Sequence, residues 1–487
     1  MPKEGFVTSI TRQSEDFPGW YNDVVLKAEL ADYSPVRGCM IIRPYGYAIW
    51  ESMQAELDGH IKRTGHSNVY FPLFVPKSLL EKEAEHVEGF NPQVAWVTHA
   101  GGKPLDEWLA IRPTSEAIIA DSVKDWIHSY RDLPLLMNLW NNVVRWELRT
   151  RLFLRTTEFL WQEGHTSHAT REEAERETLT MLEVYRQFVE EFLAIPLIVG
   201  RKSAAERFPG AVETYAIEGL MGDGRALQCG TSHFLGQNFA KPFEIRYLDD
   251  QNQMQFVWQT SWGVSTRLLG AIVMAHGDDQ GLRLPPAVAS TQAIVVPIFR
   301  KPEEGETVLA AARAALESLT RAGIRARIDD REGLTPGFKF NDGEMRGVPV
   351  RIEIGPRDVA SGEAVLARRD KSGPESKSKA SLGSIADAVG VLLGEIQKNL
   401  YAQAKAAMIA NTRKFDDYAN FRRHMEGEGG GGFADVYWCG NPVCETRIRE
   451  ETKATCRAIP LTNDGVAGKC LVCGEPAPER AYFAKAY

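Results

Sequence analysis

Two stretches of the chain have apolar and polar positions arranged for strands, and one of them continues into a helix. In residues 143–166, apolar β-forming residues flank a short charged stretch at 147–151, which predicts two antiparallel strands joined by a polar loop. In residues 259–276, a strand rich in small residues runs into an apolar helix at 268–274 that Arg267 opens. These patterns predict a mixed α/β region that contains an antiparallel strand pair.

A different pattern begins after Leu284, Pro285 and Pro286, a sequence that ends regular structure. Strands alternate with a helix there, and Gly323 ends that helix. The predicted elements are strands at 291–299, 324–328 and 348–354 and a helix at 306–322. Strands separated by helices indicate a small α/β domain with a partly parallel sheet.

Two further stretches divide the rest of the chain. Residues 371–379 are rich in Lys and Ser, which is typical of an exposed turn. Residues 394–423 have many Ala, Lys, Gln and Glu and no proline, so they predict a connecting helix, followed by a glycine-rich break at 427–432. The predicted parts of the chain are 1–286, 287–393, 394–432 and 433–487.

The composition excludes several classes of protein. Hydrophobic residues make up 44% and charged residues 25% of the 487, as in ordinary folded proteins, and no run approaches the roughly 18 apolar residues of a membrane span. Residues 1–19 contain no apolar signal sequence, so we expect a cytoplasmic protein. The net charge of −8 argues against a uniformly basic nucleic-acid coat protein, but it is compatible with a local basic face.

Cysteine is unevenly distributed. Five of the seven cysteines lie in the last 49 residues, and an odd cluster in a chain without a signal sequence favours a metal site over disulfides. Cys439 and Cys444 form one pair of ligands and Cys470 and Cys473 a second, which is enough for a tetrahedral zinc site with four thiolates. Cys456 is left over and is predicted to be a small buried residue.

The loop between the first two predicted strands is rich in arginine. A period of two places Arg145 and Glu147 on one face, where they are either a surface ion pair of little energetic value or part of a binding site. Arg149, Arg151 and Arg155 add positive charge around the same turn. Such crowding is self-repulsive unless an anion is bound, and a polyphosphate would satisfy it through bidentate contacts.

Arg267 indicates an anion site by a separate argument. The backbone N–H groups at the start of the predicted helix and the arginine side chain both favour a bound anion. The chain has no GxxxxGK(S/T) sequence, which argues against a P-loop enzyme. Together with the arginine-rich hairpin, this helix predicts a nucleotide site of another kind.

Five sequence motifs carry a resemblance to a known family. The hairpin reads RWELRTRLFLRTTEFLWQEGHT, and the later strand and helix read SWGVSTRLLGAIVMAHGDDQGLRLPP. They resemble motifs 2 and 3 of class II aminoacyl-tRNA synthetases, and GCMIIRPYGYAIWE, with Pro44 at the helix start, resembles motif 1. With RPTSE at 112–116 and QCGTSHFLGQNF at 228–239, they resemble the prolyl-tRNA synthetases of archaeal/eukaryotic type over nearly the whole chain.

The resemblance implies a fold and an activity. The fold class is α/β (α+β): the class II antiparallel sheet with flanking helices, an α/β anticodon-binding domain and a small C-terminal zinc-binding domain. The activity is ATP-dependent attachment of L-proline to tRNA(Pro) through a prolyl-adenylate, with release of pyrophosphate and then AMP. The segment between His165 and Ser261 is too short for the large editing insertion of bacterial-type enzymes.

Other readings of the same motifs remain open. Histidyl, glycyl and threonyl enzymes share this architecture, so the identity of the amino acid is the first alternative. A second alternative is a synthetase-like protein that binds tRNA without catalysis, and it would have lost Arg145 or Arg267, both of which are present. A zinc-dependent RNA-binding protein would not need the nucleotide site at all.

The resemblance also implies roles at the nucleotide site. Arg145 and Arg267 would be the catalytic residues, since a fixed guanidinium stabilises charge that develops on the α-phosphate. Phe153 would stack on adenine or be a core residue of the returning strand. Glu218 resembles a glutamate close to the Mg²⁺ that accompanies ATP. The set implied for ATP is Arg145, Glu147, Phe153, Arg155, Thr156, Gln228, Thr231, Ser265 and Arg267.

Proline binding is implied for residues of three motifs. Thr114 and Glu116 would bind the imino group, although they would also suit a helix-capping pair before an apolar helix. A structural role is likewise the alternative for Trp161, Glu163 and His165. The set implied for proline is Thr114, Glu116, Arg145, Trp161, Glu163, His165 and His233.

The remaining implied contacts concern tRNA and a second copy of the chain. Residues 321–379 carry 13 Lys/Arg against 10 Asp/Glu, a small excess that a solvated face would also explain. Motif 1 implies a homodimer, and Tyr487 matches a terminal tyrosine that reaches toward the active site, with an exposed terminus as the alternative. Single-stranded bases are read by hydrogen bonds and stacking, and the resemblance places anticodon recognition at Lys339, Glu344, Arg346 and Arg351.

Overall fold

The first part of the chain alternates short strands with longer amphipathic helices. A computed structural model describes residues 10–86, 93–427, 431–462 and 466–487. The elements of the first part are α1 (Phe17–Lys27), β1 (Ala31–Tyr33), β2 (Met40–Ile42), α2 (Pro44–Arg63), β3 (Ser67–Asn68), β4 (Phe74–Pro76), α3 (Lys77–His86), β5 (Trp96–Ala100), β6 (Lys103–Ile111), α4 (Glu116–Val123), β7 (Leu135–Val144), β8 (Glu158–His168), α5 (Arg171–Gln187), β9 (Leu197–Arg201), β10 (Glu213–Leu220), β11 (Ala226–Gly236), β12 (Arg246–Leu248), β13 (Met254–Phe256), β14 (Trp258–Ser265) and α6 (Arg267–His276).

The second and third parts are built from the same kinds of element. The second part contains β15 (Ala293–Pro297), α7 (Pro302–Arg321), β16 (Ala326–Ile328), α8 (Pro336–Met345), β17 (Val350–Ile354), α9 (Pro356–Ser361), β18 (Glu363–Arg368), β19 (Lys377–Ser381) and α10 (Ile385–Ala410). The third part contains β20 (Thr412–Phe415), α11 (Tyr418–Glu426), β21 (Phe433–Trp438), α12 (Pro442–Thr452), β22 (Thr455–Pro460), β23 (Gly468–Lys469), β24 (Pro476–Ala477) and β25 (Glu479–Ala484).

One sheet connects the first part with the third. Within the described residues its eleven strands run in the order β20-β21-β25-β22-β9-β10-β11-β14-β8-β7-β3. The outermost pairs, β20 with β21 and β3 with β7, are parallel, and the strands between them pair antiparallel. Ile459 of β22 lies opposite Arg201 of β9. The C-terminal strands therefore continue the sheet that carries the arginine-rich hairpin.

The predicted hairpin and motif helices are confirmed in outline. β7 and β8 pair antiparallel, β14 leads into α6, and α2 begins with Pro44 in its first turn. The polar loop is longer than predicted, because β7 ends at Val144 and β8 begins only at Glu158. Arg145 therefore follows its strand, where its backbone N–H still donates to Thr157 O at 2.8 Å.

The predicted α/β domain of the second part is also confirmed. Its sheet has the order β16-β15-β17-β18-β19, and the first three strands are parallel while β18 and β19 are antiparallel. The expected exposed turn at 371–379 is only partly correct. Its end forms β19, which pairs with β18 as an edge strand that remains exposed and lysine-rich.

The predicted connecting helix at 394–423 is wrong in its limits. The helix α10 starts earlier, at Ile385, since Ile385, Val389 and Leu393 are buried in the core of the second part. It ends at Ala410, and 412–415 instead form β20, which pairs with β21 through Phe415 and Val436. Residues 428–430 of the expected glycine-rich break lie outside the described residues.

The chain between the predicted hairpin and motif 3 supplies three strands of the eleven-stranded sheet, β9 to β11, and a separate pair, β12 and β13. Residues 169–257 form α5, the π-helical turn Phe188–Phe192 and β9 to β13.

Of the helices in the described ranges, none has the length and apolar character needed to cross a membrane.

Gly164 lies on β8 where the neighbouring strand packs an indole directly over it. A Cβ on Gly164 would lie 2.0 Å from the indole of Trp262, which is 1% exposed. That indole cannot retreat, because it packs edge-on against His66 and Tyr185 at ring distances of 5.1 and 6.2 Å. We expect Gly164→Ala to destabilise the first part by about 1–3 kcal/mol, measured as a lower urea midpoint of tryptophan fluorescence. Gly337→Ala is the matched control, since no atom lies within 4 Å of its Cβ, and equal midpoints for the two variants would contradict this packing.

Candidate active site

A pocket of about 310 Å³ opens on one face of β8, β10, β11 and β14. Side chains alternate along a strand, so every second residue faces it, and the antiparallel register places Thr214, His233, Ser261 and His165 in one row across the four strands. The structure brings all seven residues predicted for proline together here. The lining also includes four residues predicted for ATP, namely Gln228, Thr231, Ser265 and Arg267.

A buried carboxylate and imidazole form one wall of the pocket. Glu163 accepts a hydrogen bond from Asn141 Nδ2 at 2.8 Å and another from the Ser115 hydroxyl, and its second oxygen lies 3.0 Å from His165 Nε2. Burial opposes both charges, but His165 holds the pKa of Glu163 below its usual range, and Glu163 raises the pKa of His165. The pair therefore favours an anionic Glu163 next to a protonated His165.

Thr114 and Glu116 face the same pocket from the start of α4. The Thr114 hydroxyl donates to the Glu116 carboxylate, and both side chains are buried. The helix N-cap is Ser115, whose side chain makes no capping hydrogen bond. The helix-capping alternative is therefore wrong, and the two side chains present oxygen acceptors to the pocket.

Arg112 holds this loop in place, a role that sequence reasoning missed. It is 2% exposed, and its guanidinium donates to Asn142 O at 2.7 Å and to Phe71 O at 2.8 Å. A buried arginine that satisfies backbone carbonyls fixes the path of the chain next to it. The signal for it in the sequence is its position in RPTSE, two residues before Thr114.

Two arginines bring positive charge into the pocket. Arg145 Nε donates to Pro113 O at 2.9 Å, and Arg267 Nε donates to Leu154 O at 3.2 Å. Neither has a carboxylate of a described residue within ion-pair distance. Burial lowers the pKa of both guanidinium groups, and the charge of Arg145 lowers that of Arg267 further. The charges of Glu116 and Glu163 offset part of the charge of Arg145 from a longer distance. Two desolvated like charges with no carboxylate of a described residue at ion-pair distance favour an anionic ligand.

The rings around Arg145 define where its charge is directed. Its guanidinium lies 5.5 Å from the ring centroid of Phe159 and 5.4 Å from that of Trp161. Such cation–π contacts orient a guanidinium without neutralising it. The guanidinium of Arg145 therefore stays charged and is oriented where a ligand in the pocket can reach it.

A second cavity of about 430 Å³ lies beside the pocket, at the loop between β7 and β8. Arg145 borders both cavities, and Arg155 and Glu147 border the second. Arg155 Nε donates to Glu147 at 2.7 Å, so the ion pair that the sequence allowed for Glu147 forms with Arg155 and not with Arg145. The two cavities therefore share Arg145 as a common wall.

One wall of the pocket comes from a loop that sequence reasoning missed. Residues 206–209 between β9 and β10 line it, and the Phe208 ring lies 4.5 Å from the ring of His233. Burial lowers the pKa of His233 to about 3, so this imidazole is neutral and packs as an apolar surface. An aromatic next to Pro209 in a polar loop was the only sequence signal for this wall.

Comparisons with known proteins agree with this geometry. The model "tRNA synthetase class II core domain (G, H, P, S and T)" matches residues 96–276, "Anticodon binding domain" matches 292–391, and "Prolyl-tRNA synthetase, C-terminal" matches 418–487. A proline–tRNA ligase of Roseiflexus sp. (strain RS-1) is 53% identical over all of both chains. One of Rubrobacter xylanophilus is 54% identical over 99% of each. The chain belongs to the prolyl-tRNA synthetase family.

A solved structure of the family agrees over the whole chain. Prolyl-tRNA synthetase from Cryptosporidium parvum, complexed with halofuginone and AMPPNP, superposes with a TM-score of 0.94 at 38% identity, covering 98% of this chain and 99% of that one. As a prolyl-tRNA synthetase, the protein attaches proline to tRNA in an ATP-dependent reaction of two steps, with prolyl-adenylate as the intermediate.

Two residues predicted for ATP line neither of the two cavities of this synthetase. Phe153 is 2% exposed and packs in the core of the first part. It is a core residue, as the alternative required, but it lies in the loop before β8 and not on the returning strand. Thr156 is buried and its hydroxyl donates to Glu158 O at 2.8 Å. Phe159, the second residue of β8, lines the pocket instead. Because the loop is longer than predicted, β8 begins later in the sequence, and Phe159 faces the site in place of Phe153.

Glu218 is not available as the magnesium-proximal glutamate that the resemblance implied. Its side chain is 0% exposed, and it accepts hydrogen bonds from Lys202 at 2.7 Å and from Arg457 at 2.9 to 3.1 Å. Both of its oxygens are therefore occupied. The geometry does not support Glu218 as a metal ligand of the synthetase.

Two of the residues predicted to contact the anticodon are used inside the protein. Lys339 is 7% exposed and its ammonium donates to Asp329 O at 2.9 Å. Arg346 donates to Glu29 of the first part at 2.7 Å. The structure therefore does not support Lys339 and Arg346 as contacts to tRNA.

The other two predicted anticodon residues form a compact polar group. Arg351 donates to Glu344 at 2.7 Å, and its guanidinium lies 4.0 Å from the ring centroid of Phe340. Glu344, Arg351 and their neighbours line a small cavity of about 40 Å³. A carboxylate, a guanidinium and a ring in one place suit the recognition of a base edge.

The C-terminal tyrosine lies beside the active-site strands. The Tyr487 hydroxyl donates to Asp223 at 2.7 Å, and its ring lies between Arg151 and Arg225 at 5.7 and 5.6 Å. Its backbone N–H donates to Ala226 O at the start of β11. The exposed-terminus alternative is therefore wrong, and the chain end is bound next to the loop of motif 2.

The four cysteines predicted as zinc ligands come together. Their sulfur atoms lie within 4.8 Å of one another, and Cys439 Sγ is 3.8 Å from the sulfurs of Cys444 and Cys473. A tetrahedral zinc ion with Zn–S bonds of about 2.3 Å requires sulfur separations of about 3.8 Å. The set of donors fits such an ion, while Cys456 is 0% exposed in the core of the third part.

Proposed function

We propose that prolyl-adenylate forms in the 310 Å³ pocket, with the arginines, carboxylates and rings of the pocket in separate roles. The observation that carries this assignment is the pair of desolvated guanidinium groups, Arg145 and Arg267, without a carboxylate partner among the described residues. They share the pocket with the Glu163–His165 pair. A phosphate group needs the positive charge of the two arginines, and the ammonium group of an amino acid needs the acceptors of the carboxylate side.

Proline is held by acceptors on one side and rings on the other. The secondary ammonium of proline donates two hydrogen bonds, and Thr114 and Glu116 present acceptors, with Glu163 and His165 behind them. Trp161, Phe208 and the neutral His233 form the apolar wall for the pyrrolidine ring. Selection for a small ring with a charged nitrogen follows, because the nitrogen needs buried acceptors.

The nucleotide occupies the region between the two cavities. Phe159 offers a ring for adenine, and Glu147 an acceptor for its amino group, with Arg155 beside it. Gln228, Thr231 and Ser265 face the phosphates along β11 and β14. Class II synthetases use ATP with Mg²⁺, which offsets part of the phosphate charge.

Catalysis then depends on positioning and charge. Arg145 lies between the proline acceptors and the nucleotide region, where the proline carboxylate attacks the α-phosphate in line and pyrophosphate leaves. Arg267 approaches from α6 and stabilises the negative charge on the phosphates. No side chain needs to act as nucleophile, since the substrate carboxylate supplies the attacking oxygen.

The other parts of the chain have separate tasks. We assign 1–286 to catalysis, 287–393 to anticodon recognition through Glu344 and Arg351, and 433–487 to a structural zinc ion. The helix α10 and β20 connect the last two parts, in place of the simple linker at 394–432. Translation is the process served, so we place the enzyme in the cytoplasm.

The enzyme is proposed to be a homodimer. Large apolar residues near motif 1 are exposed, including Tyr33 at 60%, Ile41 at 49%, Tyr47 at 41% and Tyr70 at 76%. An exposed apolar patch of this kind marks an interaction surface. A second copy of the chain is the partner that motif 1 implies.

Arg267→Gln tests the assignment of the pocket. Loss of one fixed donor to the phosphates should lower proline-dependent ATP–pyrophosphate exchange by about 10²–10³-fold in kcat. Arg171→Gln is the matched control, because Arg171 is exposed at the start of α5, where it pairs with Glu175, and it lines neither cavity. The exchange assay should be run with all twenty amino acids. A wild-type rate for Arg267→Gln, or another amino acid preferred over proline, would refute the assignment.

Glu344→Ala tests the anticodon assignment. We expect proline-dependent exchange to stay at the wild-type level, whereas kcat/KM for charging of tRNA(Pro) falls by a factor that corresponds to about 1–3 kcal/mol. Glu363→Ala removes a comparable surface carboxylate of the same domain, which pairs with Lys379, and it should leave charging unchanged. Equal losses in exchange and charging would remove Glu344 from recognition.

Metal analysis tests the cysteine site. Purified enzyme should contain one zinc ion per chain, and Cys470→Ser should lose it, because three thiolates and a hydroxyl bind zinc less tightly. Cys456→Ala is the control that should keep the metal. The readouts are zinc content by mass spectrometry and thermal unfolding with and without a chelator. Full zinc content in Cys470→Ser would exclude these ligands.

A further inference from the structure

Three charged side chains are buried together beside the pocket, since Glu218 lies opposite Gln228 of the pocket lining. Glu218 on β10 receives hydrogen bonds from Lys202, which follows β9, and from Arg457 on β22. Their side chains are 0%, 1% and 8% exposed. Arg457 thus places a charge from the C-terminal part deep against the catalytic sheet.

Stability alone is a poor explanation for this cluster. Desolvation of buried ions costs free energy, and well-packed apolar residues of similar size are often as stabilising or more so. What such a cluster does supply is a fixed geometry, because every charge needs its partner in place. The cluster therefore fixes the position of the chain segments that contact it.

Arg457 and Lys202 lie at the base of the loop that forms one wall of the pocket. The backbone N–H of Lys202 donates to Thr214 O at 2.8 Å, which closes the loop 203–213. Arg457 Nη1 lies 3.7 Å from Glu206 Oε2, and Glu206 lines the pocket. One arginine of the C-terminal part therefore contacts the loop and the strand beside it.

A second side chain of the C-terminal part holds the same loop. The Ser203 hydroxyl donates to Glu445 Oε1 at 2.5 Å. Glu445 lies on α12 and is 5% exposed, so this contact is also shielded from water. Ser203 and Glu206 are thus both tied to the C-terminal part.

The far end of the loop carries the pocket wall. Phe208 packs on His233, and its backbone N–H donates to Thr214 Oγ1 at 3.0 Å. Arg207 donates to Val212 O at 2.5 Å. The loop is therefore held at its base by the C-terminal part and at its tip by the row of residues that crosses the sheet.

We propose that Arg457 and Glu445 are positioning residues for proline. By fixing residues 203–206, they set the position of Phe208 and hence the size of the ring pocket, although neither touches the substrate. The inference rests on the assignment of this pocket to proline. It gives the C-terminal part a role in amino acid selection in addition to metal binding.

Arg457→Gln tests this role through the separation of two constants. A displaced wall should raise KM for proline about tenfold or more in ATP–pyrophosphate exchange, as small misplacements of binding groups do, while KM for ATP stays unchanged. The preference for proline over alanine should fall in the same variant. Arg457→Lys keeps the charge and should restore part of the affinity, since its single ammonium cannot replace the guanidinium fork.

Ser203→Ala gives an independent test that leaves the buried charges intact. It should raise KM for proline in the same direction by a smaller factor. Arg480→Gln is the matched control, because Arg480 forms a partly buried ion pair with Asp435 inside the C-terminal part. It should lower the thermal midpoint and leave KM for proline unchanged.

Phe208→Ala separates failure of this inference from failure of the pocket assignment. If Phe208→Ala raises KM for proline while Arg457→Gln and Ser203→Ala do not, the positioning role is overturned and the pocket stands. If KM for ATP rises in parallel with KM for proline in Arg457→Gln, or if Arg480→Gln gives the same rise, the role is also overturned. An unchanged KM in Phe208→Ala would overturn the pocket assignment and this inference with it.

Discussion

Two desolvated positive charges in one pocket are the constraint on which the rest of the site depends. Arg145 and Arg267 come from a loop and from the start of a helix, and each is tied to a backbone carbonyl and not to a carboxylate. Their mutual repulsion raises the electrostatic free energy of the empty site, and an anionic ligand between them lowers it. The rigid sheet beneath them supplies the geometry that keeps them close before the ligand arrives.

The sheet also explains why a C-terminal segment takes part in the catalytic region. β22 pairs with β9, and Arg457 reaches Glu218 on β10. Tyr487 makes a further contact between these parts, because its backbone N–H donates to Ala226 O at the start of β11. Its ring lies near Arg151 and Arg225. Strand pairing and buried charge thus join two parts of the chain that are far apart in sequence, and Arg457 lies 3.7 Å from Glu206, which lines the pocket.

Long motifs predicted the site better than local spacing did. All seven residues expected for proline lie in the pocket. Motif 2 places Trp161, Glu163 and His165 at alternate positions of β8, and the QCGTSHF segment places His233 on β11, on the other side of β14. The other three come from the start of α4 and the loop after β7, namely Thr114, Glu116 and Arg145. The structure does not support the predicted stacking of Phe153 on adenine or the predicted place of Glu218 near magnesium. The first depended on where β8 begins, and the second on a partner, Arg457, that lies 239 residues away.

The sequence by itself determined the family, the antiparallel hairpin, the helix after Arg267 and the four clustered cysteines, because these are local patterns or long motifs. Only the tertiary structure decided which aromatic faces the pocket, that Lys339 and Arg346 are used internally, and that β20 interrupts the expected connecting helix. These outcomes depend on strand register, burial and ion pairs between distant residues. Such interactions form between parts of the chain whose proximity no local pattern encodes.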